Sequence, residues 1–224
     1  FETTAPTVAV AVEIAAAEGL SNFSVLSLHK VVPPALDVIF SDPEMTVDGL
    51  ICPGHVAAVT GLEPYADVSR HYHKPCVVTG FETRDLLEGI YMLLKQLQAG
   101  EARAEIQYRR VVKPEGNQVA RETMDRVFAP IACRWRGLGS IPDSGLALRP
   151  AYRDWDASYK WDLGEHEDQV IKGCACGEVL KGKLTPHQCA LFGRVCTPMA
   201  PVGPCMVSQE GACAAYYRYI PRDN

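Results

Sequence analysis

The chain of 224 residues is long enough for one large domain or two small domains with real cores. Its 22 basic and 27 acidic residues give a net charge of -5, which leaves no electrostatic footprint for nucleic acid or for an anionic membrane. Because no apolar run approaches the roughly 20 residues of a membrane span and no signal peptide is recognisable, we expect a cytoplasmic protein with neither partner.

The first half of the chain alternates short apolar segments with helical patterns, which predicts an α/β fold. In this fold a parallel sheet carries helices on both faces. Because the chain begins with Phe1 rather than Met, we also expect it to be a piece whose N-terminal part is missing. The predicted strands are residues 23–28, 47–52, 75–79 and 106–112, and the predicted helices are residues 7–18, 33–40, 55–60, 65–71 and 83–98.

The unusual polar residues of this half stand where predicted strands end. His55 closes the turn Cys52-Pro53-Gly54-His55, and Glu2, Thr3 and Thr4 precede a helix in a turn that residues 81–83 echo. Ligands bind at this rim in open α/β sheets, so we expect these residues to face one crevice. The alternative is that the threonines cap a helix and the glutamate complements its dipole.

Three cysteines lie before the cysteine-rich stretch at the end of the chain. For Cys52 two interpretations stay equally open, a residue of a site at the rim and a residue of the core. The site is favoured by Gly54, which lets a ligand approach the backbone, and by His55, which follows it. Cys76 and Cys133 lie in apolar surroundings and are predicted to be inert packing residues.

The pattern changes after residue 117, and we predict two domains, 1–117 and 118–224. A helix at residues 118–128 is followed by an irregular Gly- and Pro-containing segment and a tryptophan-rich connector. The charged run at residues 164–172 is predicted to be a solvated loop or a helix end, and it leads into a small irregular and helical domain rich in cysteine.

This last domain holds six of the nine cysteines. Cys174, Cys189, Cys196 and Cys213 are separated by 14, 6 and 16 residues, with Cys176 and Cys205 to spare. Structural zinc prefers paired Cys-x2-4-Cys knuckles, whereas the four thiolates of an iron–sulfur cluster are often scattered. Spacing alone leaves an iron–sulfur cluster, zinc and disulfides or unligated thiols all open.

Several motifs resemble the HypD family of [NiFe]-hydrogenase maturation factors along the whole chain. The resemblance implies a scaffold that helps to assemble and carry an Fe(CN)2CO unit, with a HypC-like small chaperone and a HypE-like cyanide donor as partners. It also implies a redox-active [4Fe–4S] cluster on Cys174, Cys189, Cys196 and Cys213. The motifs are Phe-Glu-Thr-Thr-Ala-Pro at residues 1–6, Cys-Pro-Gly-His-Val at 52–56, Trp-Arg-Gly-Leu-Gly at 135–139 and Glu-Gly-Ala-Cys-Ala-Ala-Tyr-Tyr at 210–217.

The family's N-terminal Cys-Gly-Thr-His motif, whose cysteine is thought to bind the iron, and its Cys-x2-Cys pair have no counterpart in this sequence. We therefore expect the cluster and half of the crevice, with His55 on the iron-facing rim and Glu2, Thr3 and Thr4 beside it. The role favoured is an assembly scaffold with a redox function rather than a turnover enzyme. The alternatives are an α/β enzyme that acts on a small molecule and carries a structural zinc domain, and a simple electron carrier.

Overall fold

The computed structural model describes residues 1–163 and 171–220 of the chain. The predicted run at residues 164–172 therefore lies largely outside the described residues. Ten α-helices and five strands are found in the described ranges. In chain order these are α1 Ala5–Ala17, α2 Val32–Phe40, β1 Leu50–Pro53, α3 Gly54–Thr60, α4 Glu63–Tyr72, β2 Cys76–Thr79, α5 Thr83–Ala99, β3 Ala104–Ile106, α6 Gln118–Val127, β4 Phe128–Trp135, β5 Gly139–Leu148, α7 Ala157–Lys160, α8 Cys176–Leu180, α9 Pro204–Val207 and α10 Ala212–Tyr219.

The three strands β1, β2 and β3 form a parallel sheet in that order, which confirms the predicted mixed α/β fold. Cys52 of β1 stands opposite Val78 of β2, and Cys76 stands opposite Leu50. All four residues of β2 are buried, as expected for the central strand of a covered parallel sheet. The carboxyl ends of the strands meet at one edge, where β1 runs directly into α3.

Local signals set the ends of the longer helices. Helix α1 begins after Thr4 with Pro6 in its first turn, and Gly19 follows its last turn with φ +64°. Helix α5 ends at Gly100, which adopts φ +66° while its N–H bonds to carbonyls of the last turn. Only glycine takes this left-handed conformation without cost, so the helix ends were readable from the sequence.

One predicted strand is absent and another is wrong in extent. Residues 23–28 form no strand, and only Val25 makes an isolated bridge, with Asp156. The predicted strand at residues 106–112 is wrong in extent, because the observed strand β3 ends at Ile106. The N–H groups of the next two residues both donate to the Val78 carbonyl, and the chain turns away from the sheet there.

Strands β4 and β5 were not predicted. They pair in a two-stranded sheet, joined by a turn in which Gly137 and Gly139 have φ near +85° and +83°. Pro130 and Pro142 interrupt the apolar pattern of these strands, which is why the segment was expected to be irregular.

The chain folds into two compact units. The first contains Phe1–Asp37, Asp48–Cys133 and Ile141–Gly164. One of its cores forms where α1 packs on α6 and the strands that follow, around Val12, Val127 and Phe128. Trp155 packs against this core and donates its indole N–H to the Leu20 carbonyl at 2.9 Å. Helix α6 and most of the predicted connector thus belong to the first unit.

The second unit is built from three pieces of chain, Val38–Val47, Arg134–Ser140 and Glu165–Asn224. The first piece is fixed by Asp42, whose carboxylate lies 2.8 Å from Lys181 Nζ and 2.9 Å from Lys183 Nζ. These ammonium groups lower the pKa of Asp42 well below its usual range. Thr46 adds a hydroxyl hydrogen bond of 2.7 Å to the Gly182 carbonyl.

None of the helices in the described ranges combines the length and the apolar composition that crossing a bilayer requires.

Candidate functional site

The cysteine-rich stretch is held in short turns and helices of the second unit. Cys174 closes a turn onto the Ile171 carbonyl, Cys189 follows a 3-10 helix, and Cys213 lies in the first turn of α10. Cys196 sits in a loop where its N–H bonds to Leu191 O at 2.9 Å. Gly193, at φ +69°, allows this loop to double back so that its own N–H reaches the Cys196 carbonyl at 3.0 Å.

All six cysteines of the stretch line one small cavity of about 10 Å³. The structure joins Cys176 and Cys205 as a disulfide, and the other four cysteines are free thiols. Sequence reasoning had left these two cysteines without a role. The remaining lining is apolar and includes the side chains of Val179, Leu191, Phe192 and Met206.

The pKa values of two of the four free thiols are raised. Burial raises the pKa of Cys213 to about 11, with a further increase from the nearby thiols of Cys189, Cys196 and Cys174. Burial likewise raises the pKa of Cys174, and Cys189 and Cys196 add to that effect. Because each thiolate disfavours ionisation of the others, the set needs cationic partners to become fully ionised.

Glycine and backbone N–H groups shape the environment of two of these sulfurs. The N–H groups of Val202 and Gly203 donate to Cys196 Sγ at 3.4 Å and 3.5 Å. A Cβ at position 203 would stand 2.6 Å from Cys174 Sγ, so any residue other than glycine would displace that sulfur. Within the ranges that the structure describes, no three Cys, His, Asp or Glu side chains gather as ligands of a single metal ion would.

At the strand-end rim of the first unit, His55 is exposed at the start of α3. Its ring lies 4.6 Å from that of Phe81, after β2, and 6.4 Å from that of Tyr108, after β3. One aromatic ring therefore follows each of the three parallel strands. Gly54 allows the start of α3 to lie this close to the Tyr108 ring and to the end of β2. A Cβ at position 54 would stand 2.8 Å from the Tyr108 ring and closer still to the Thr79 carbonyl.

An ion pair supports this rim from below. The buried Asp85 carboxylate accepts two hydrogen bonds from Arg110, at 2.8 Å and 2.6 Å, and one from Gln107 at 3.0 Å. The hydrogen bonds from Arg110 lower the pKa of Asp85 to about 2. The guanidinium lies 4.4 Å from the centre of the Tyr108 ring, so the pair also fixes the aromatic side chain.

Glu2, Thr3 and Thr4 occupy a different environment from that of His55. The Glu2 side chain is buried, and one of its carboxylate oxygens accepts the N–H of Val32, the first residue of α2, at 2.7 Å. Burial raises the pKa of Glu2, and its second oxygen has no hydrogen-bond partner among the described residues. Thr3 and Thr4 are exposed, and the Thr4 hydroxyl donates to Phe1 O at 3.3 Å.

The Cys52 side chain belongs to the core rather than to the rim. Cys52 and Cys76 are both fully buried, on adjacent strands of the parallel sheet. Burial raises the pKa of Cys52, whereas a hydrogen bond from Cys52 lowers that of Cys76. Sequence reasoning placed the turn at residues 81–83 at the rim but missed Tyr108 and Arg110, although both follow the end of a strand.

Comparison with known proteins agrees with the motifs of the sequence. A family model named HypD and described as "Hydrogenase formation hypA family" matches residues 1–220. The chain belongs to the HypD family. It is 46% identical over 224 residues to the hydrogenase maturation factor HypD of Rhodobacter capsulatus, with 98% of this chain and 59% of that protein covered.

Other HypD proteins are similar to the same extent. The identity is 42% over 225 residues with the hydrogenase maturation factor HypD of Azotobacter vinelandii, covering 98% of this chain and 59% of that protein. It is 41% over 225 residues with that of Escherichia coli, covering 100% and 60%. The chain thus spans about three-fifths of the length of these HypD relatives.

Proposed function

We propose that this chain acts in hydrogenase maturation as a scaffold that binds a [4Fe–4S] cluster and helps to assemble and carry an Fe(CN)2CO unit. The convergence of four free thiols on one cavity carries the proposal. Cys174, Cys189, Cys196 and Cys213 would be the ligands of the cluster. Membership of the HypD family, whose relatives are named hydrogenase maturation factors, supports the same role.

The chemistry of this donor set suits an iron–sulfur cluster. Four thiolates are the usual ligands of a [4Fe–4S] cubane, and the cationic iron would offset the burial and the neighbouring thiolates that raise the pKa of Cys213 and Cys174. A bound cluster would supply one-electron transfer.

The disulfide gives this unit a second redox group. Cys176 and Cys205 border the same cavity as the four thiols, and their reduction to two thiols takes up two electrons and two protons. We assign this pair a redox role and no part in holding the cluster. Because pairing withdraws both sulfurs, four thiols remain, which is the number that a cubane requires.

The strand-end rim would serve the Fe(CN)2CO cargo. His55 is exposed there beside two aromatic rings, where an imidazole can bind iron or orient a ligand of the iron. We keep Glu2, Thr3 and Thr4 as candidate residues of the crevice. A HypC-like chaperone would bring the iron and a HypE-like donor would supply the cyanide groups. The scaffold orients these groups, and the ligand chemistry belongs to the iron.

Metal analysis tests the cluster. Protein purified and reconstituted without oxygen should be brown, absorb light at about 400 nm and contain about four iron atoms per chain. Replacing any one of the four ligand cysteines by Ala should abolish the colour and destabilise the second unit. Cys176→Ala is the matched control for Cys174→Ala, since it removes a sulfur only two residues away that is paired with Cys205, and it should keep its iron. Colourless protein with one zinc ion would instead support an α/β enzyme with a structural zinc domain.

The role of the rim needs a separate measurement. In a full-length HypD protein that contains this chain, His55→Ala should leave melting temperature and cluster absorbance unchanged, because an exposed imidazole contributes little to the core. Delivery of Fe(CN)2CO, followed by its infrared bands, should fall. Normal bands would remove His55 from the site. A pull-down with a HypC-like chaperone distinguishes the scaffold from an electron carrier, which would hold the cluster but not the chaperone.

A further inference from the structure

The first unit contains a lysine and a cysteine in direct contact. Lys30 Nζ lies 2.8 Å from Cys133 Sγ, in a partly buried position. The contact is short compared with the backbone N–H contacts to Cys196 Sγ, which measure 3.4 Å and 3.5 Å. It joins positions 103 residues apart, so the tertiary fold and not the local sequence brings the two groups together.

Three lengths of chain build this contact, with Gly145 of β5 in the middle. On one side, Lys30 forms an antiparallel bridge with Gly145, flanked by hydrogen bonds from Val31 N–H to the Ser144 carbonyl at 3.0 Å and from the Leu146 N–H to the His29 carbonyl. On the other side lies Cys133 of β4, whose carbonyl accepts the Ser144 hydroxyl at 3.4 Å. The two side chains therefore approach each other across β5.

Gly145 keeps the path between them open. A Cβ at this position would stand 2.7 Å from Cys133 Cβ and 3.3 Å from Cys133 Sγ. Because glycine has no side chain, the long lysine side chain reaches over the strand to the sulfur. The cysteine that the sequence suggested was inert is thus held against an amine.

We propose that Lys30 and Cys133 form an oxidation-sensitive modification site, in which peroxide links the two side chains through one oxygen atom. The Lys30 amine lies 2.8 Å from the Cys133 sulfur, close enough to react with an oxidised form of that sulfur. The first peroxide molecule converts the thiol of Cys133 into a sulfenic acid and leaves as water.

The second step closes the link. The Lys30 amine and a second peroxide molecule convert the sulfenic acid into an S–O–N bridge and release two water molecules. In total, one thiol, one amine and two hydrogen peroxide molecules give one bridge and three waters. Sulfur and nitrogen each lose two electrons, and each peroxide gains two.

The geometry favours this product over the other products of a sulfenic acid. At a separation of 2.8 Å one oxygen atom fits between nitrogen and sulfur, whereas a direct S–N bond requires the two atoms to move closer. A disulfide with Cys52 or Cys76 is disfavoured, because both are fully buried in the parallel sheet. The bridge would fasten the segment around Lys30 to β4 covalently.

Peptide mass spectrometry after peroxide treatment tests the proposal. The protein is exposed to graded hydrogen peroxide with a metal chelator present, digested without reductant, and searched for a peptide pair joined through Lys30 and Cys133. The expected species has the summed mass of the two peptides plus one oxygen and minus two hydrogens. Dithiothreitol should release it.

Lys30→Arg is the matched variant, because it keeps the positive charge but removes the primary amine. It should lose the linked species while Cys133 still oxidises to its acids, and far-UV circular dichroism should show an unchanged fold. Cys133→Ser should also lose it, and Cys76→Ser should keep it. The proposal is overturned if wild-type Cys133 proceeds to sulfinic acid with no linked peptide. A linked mass without the extra oxygen would refute the bridge and show a direct S–N bond.

Discussion

Removing the Cys176–Cys205 disulfide should destabilise the second unit by an amount that follows from its position in the chain. The two cysteines are 29 residues apart, and the loss of chain entropy in the unfolded state is then worth about 3.6 kcal/mol at 25 °C. With a typical dependence on urea of about 1–3 kcal/mol per molar, the unfolding midpoint should fall by roughly 1–4 M.

Urea titration followed by circular dichroism, with iron chelated, measures this difference. Wild-type protein is compared with and without dithiothreitol, so that only the covalent bond changes. A double variant, Cys176→Ala with Cys205→Ala, serves as the control that dithiothreitol should not affect. With a cluster bound, the same stretch is already held by four iron–sulfur bonds, and we expect the shift to be smaller.

An unchanged midpoint in dithiothreitol would refute the reasoning, because it would mean that the bond is not formed or does not restrain the unfolded chain. A shift of equal size in the double variant would show that dithiothreitol acts elsewhere. Iron content gives an independent check, since the double variant should retain as much iron as wild-type protein if neither cysteine is a ligand.

Three further substitutions test other parts of the structure. Asp85→Asn should flatten the pH dependence of unfolding stability between about pH 4 and 2. Arg110 lowers the pKa of Asp85 to about 2, so the ionised carboxylate stabilises the fold above about pH 4, and this contribution is lost as the pH falls. A pH dependence as steep as in wild-type protein would contradict the pairing. Gly203→Ala should displace Cys174 Sγ, destabilise the second unit by about 1–3 kcal/mol and lower its iron content, and full iron retention would argue against Cys174 as a ligand. Phe128→Ala should cost about 3–5 kcal/mol in thermal unfolding, because the ring is buried where α1 packs on α6, and a loss below about 1 kcal/mol would mean that the site collapses around the space.

The elements that sequence predicted well are those fixed by short-range physics. Helix α5 was predicted almost to its ends, because Thr83 begins its apolar periodicity and Gly100 ends it. The strands β1 and β2 were found because each is a short apolar run beside a helix. The parallel sheet was predicted from the alternation of short apolar runs with helical segments.

The elements that were missed depend on distant partners. Strands β4 and β5 pair with each other, and residues 29–31 add to β5, but no local periodicity indicates these contacts. Conversely, residues 23–28 have the composition of a strand but find no strand partner among the described residues beyond the bridge at Val25. Strand formation is decided by the neighbouring strand, which the sequence of one segment does not contain.

The candidate site divides in the same way. Cys174, Cys189, Cys196 and Cys213 were singled out by residue type and by resemblance to the family. The pairing of Cys176 with Cys205 was not, because six cysteines allow fifteen complete pairings and only the fold selects among them. The grouping of His55 with Phe81 and Tyr108 was also missed, since a Phe or Tyr after a strand looks like any other residue until three strand ends meet.

The ion pairs that join the Asp42 segment to Lys183 set an order of events during synthesis. Glu44 of this segment is also paired with Lys183, and 139 residues separate the two. At a translation rate of about 5–20 residues per second, the ribosome needs roughly 7–28 s to deliver the lysine after the glutamate. The early segment of this unit must therefore remain without its partners for many times the microseconds to milliseconds of local folding. The six cysteines that line the cavity of this unit are also synthesised late, and the cavity is complete only once Cys213 has been added.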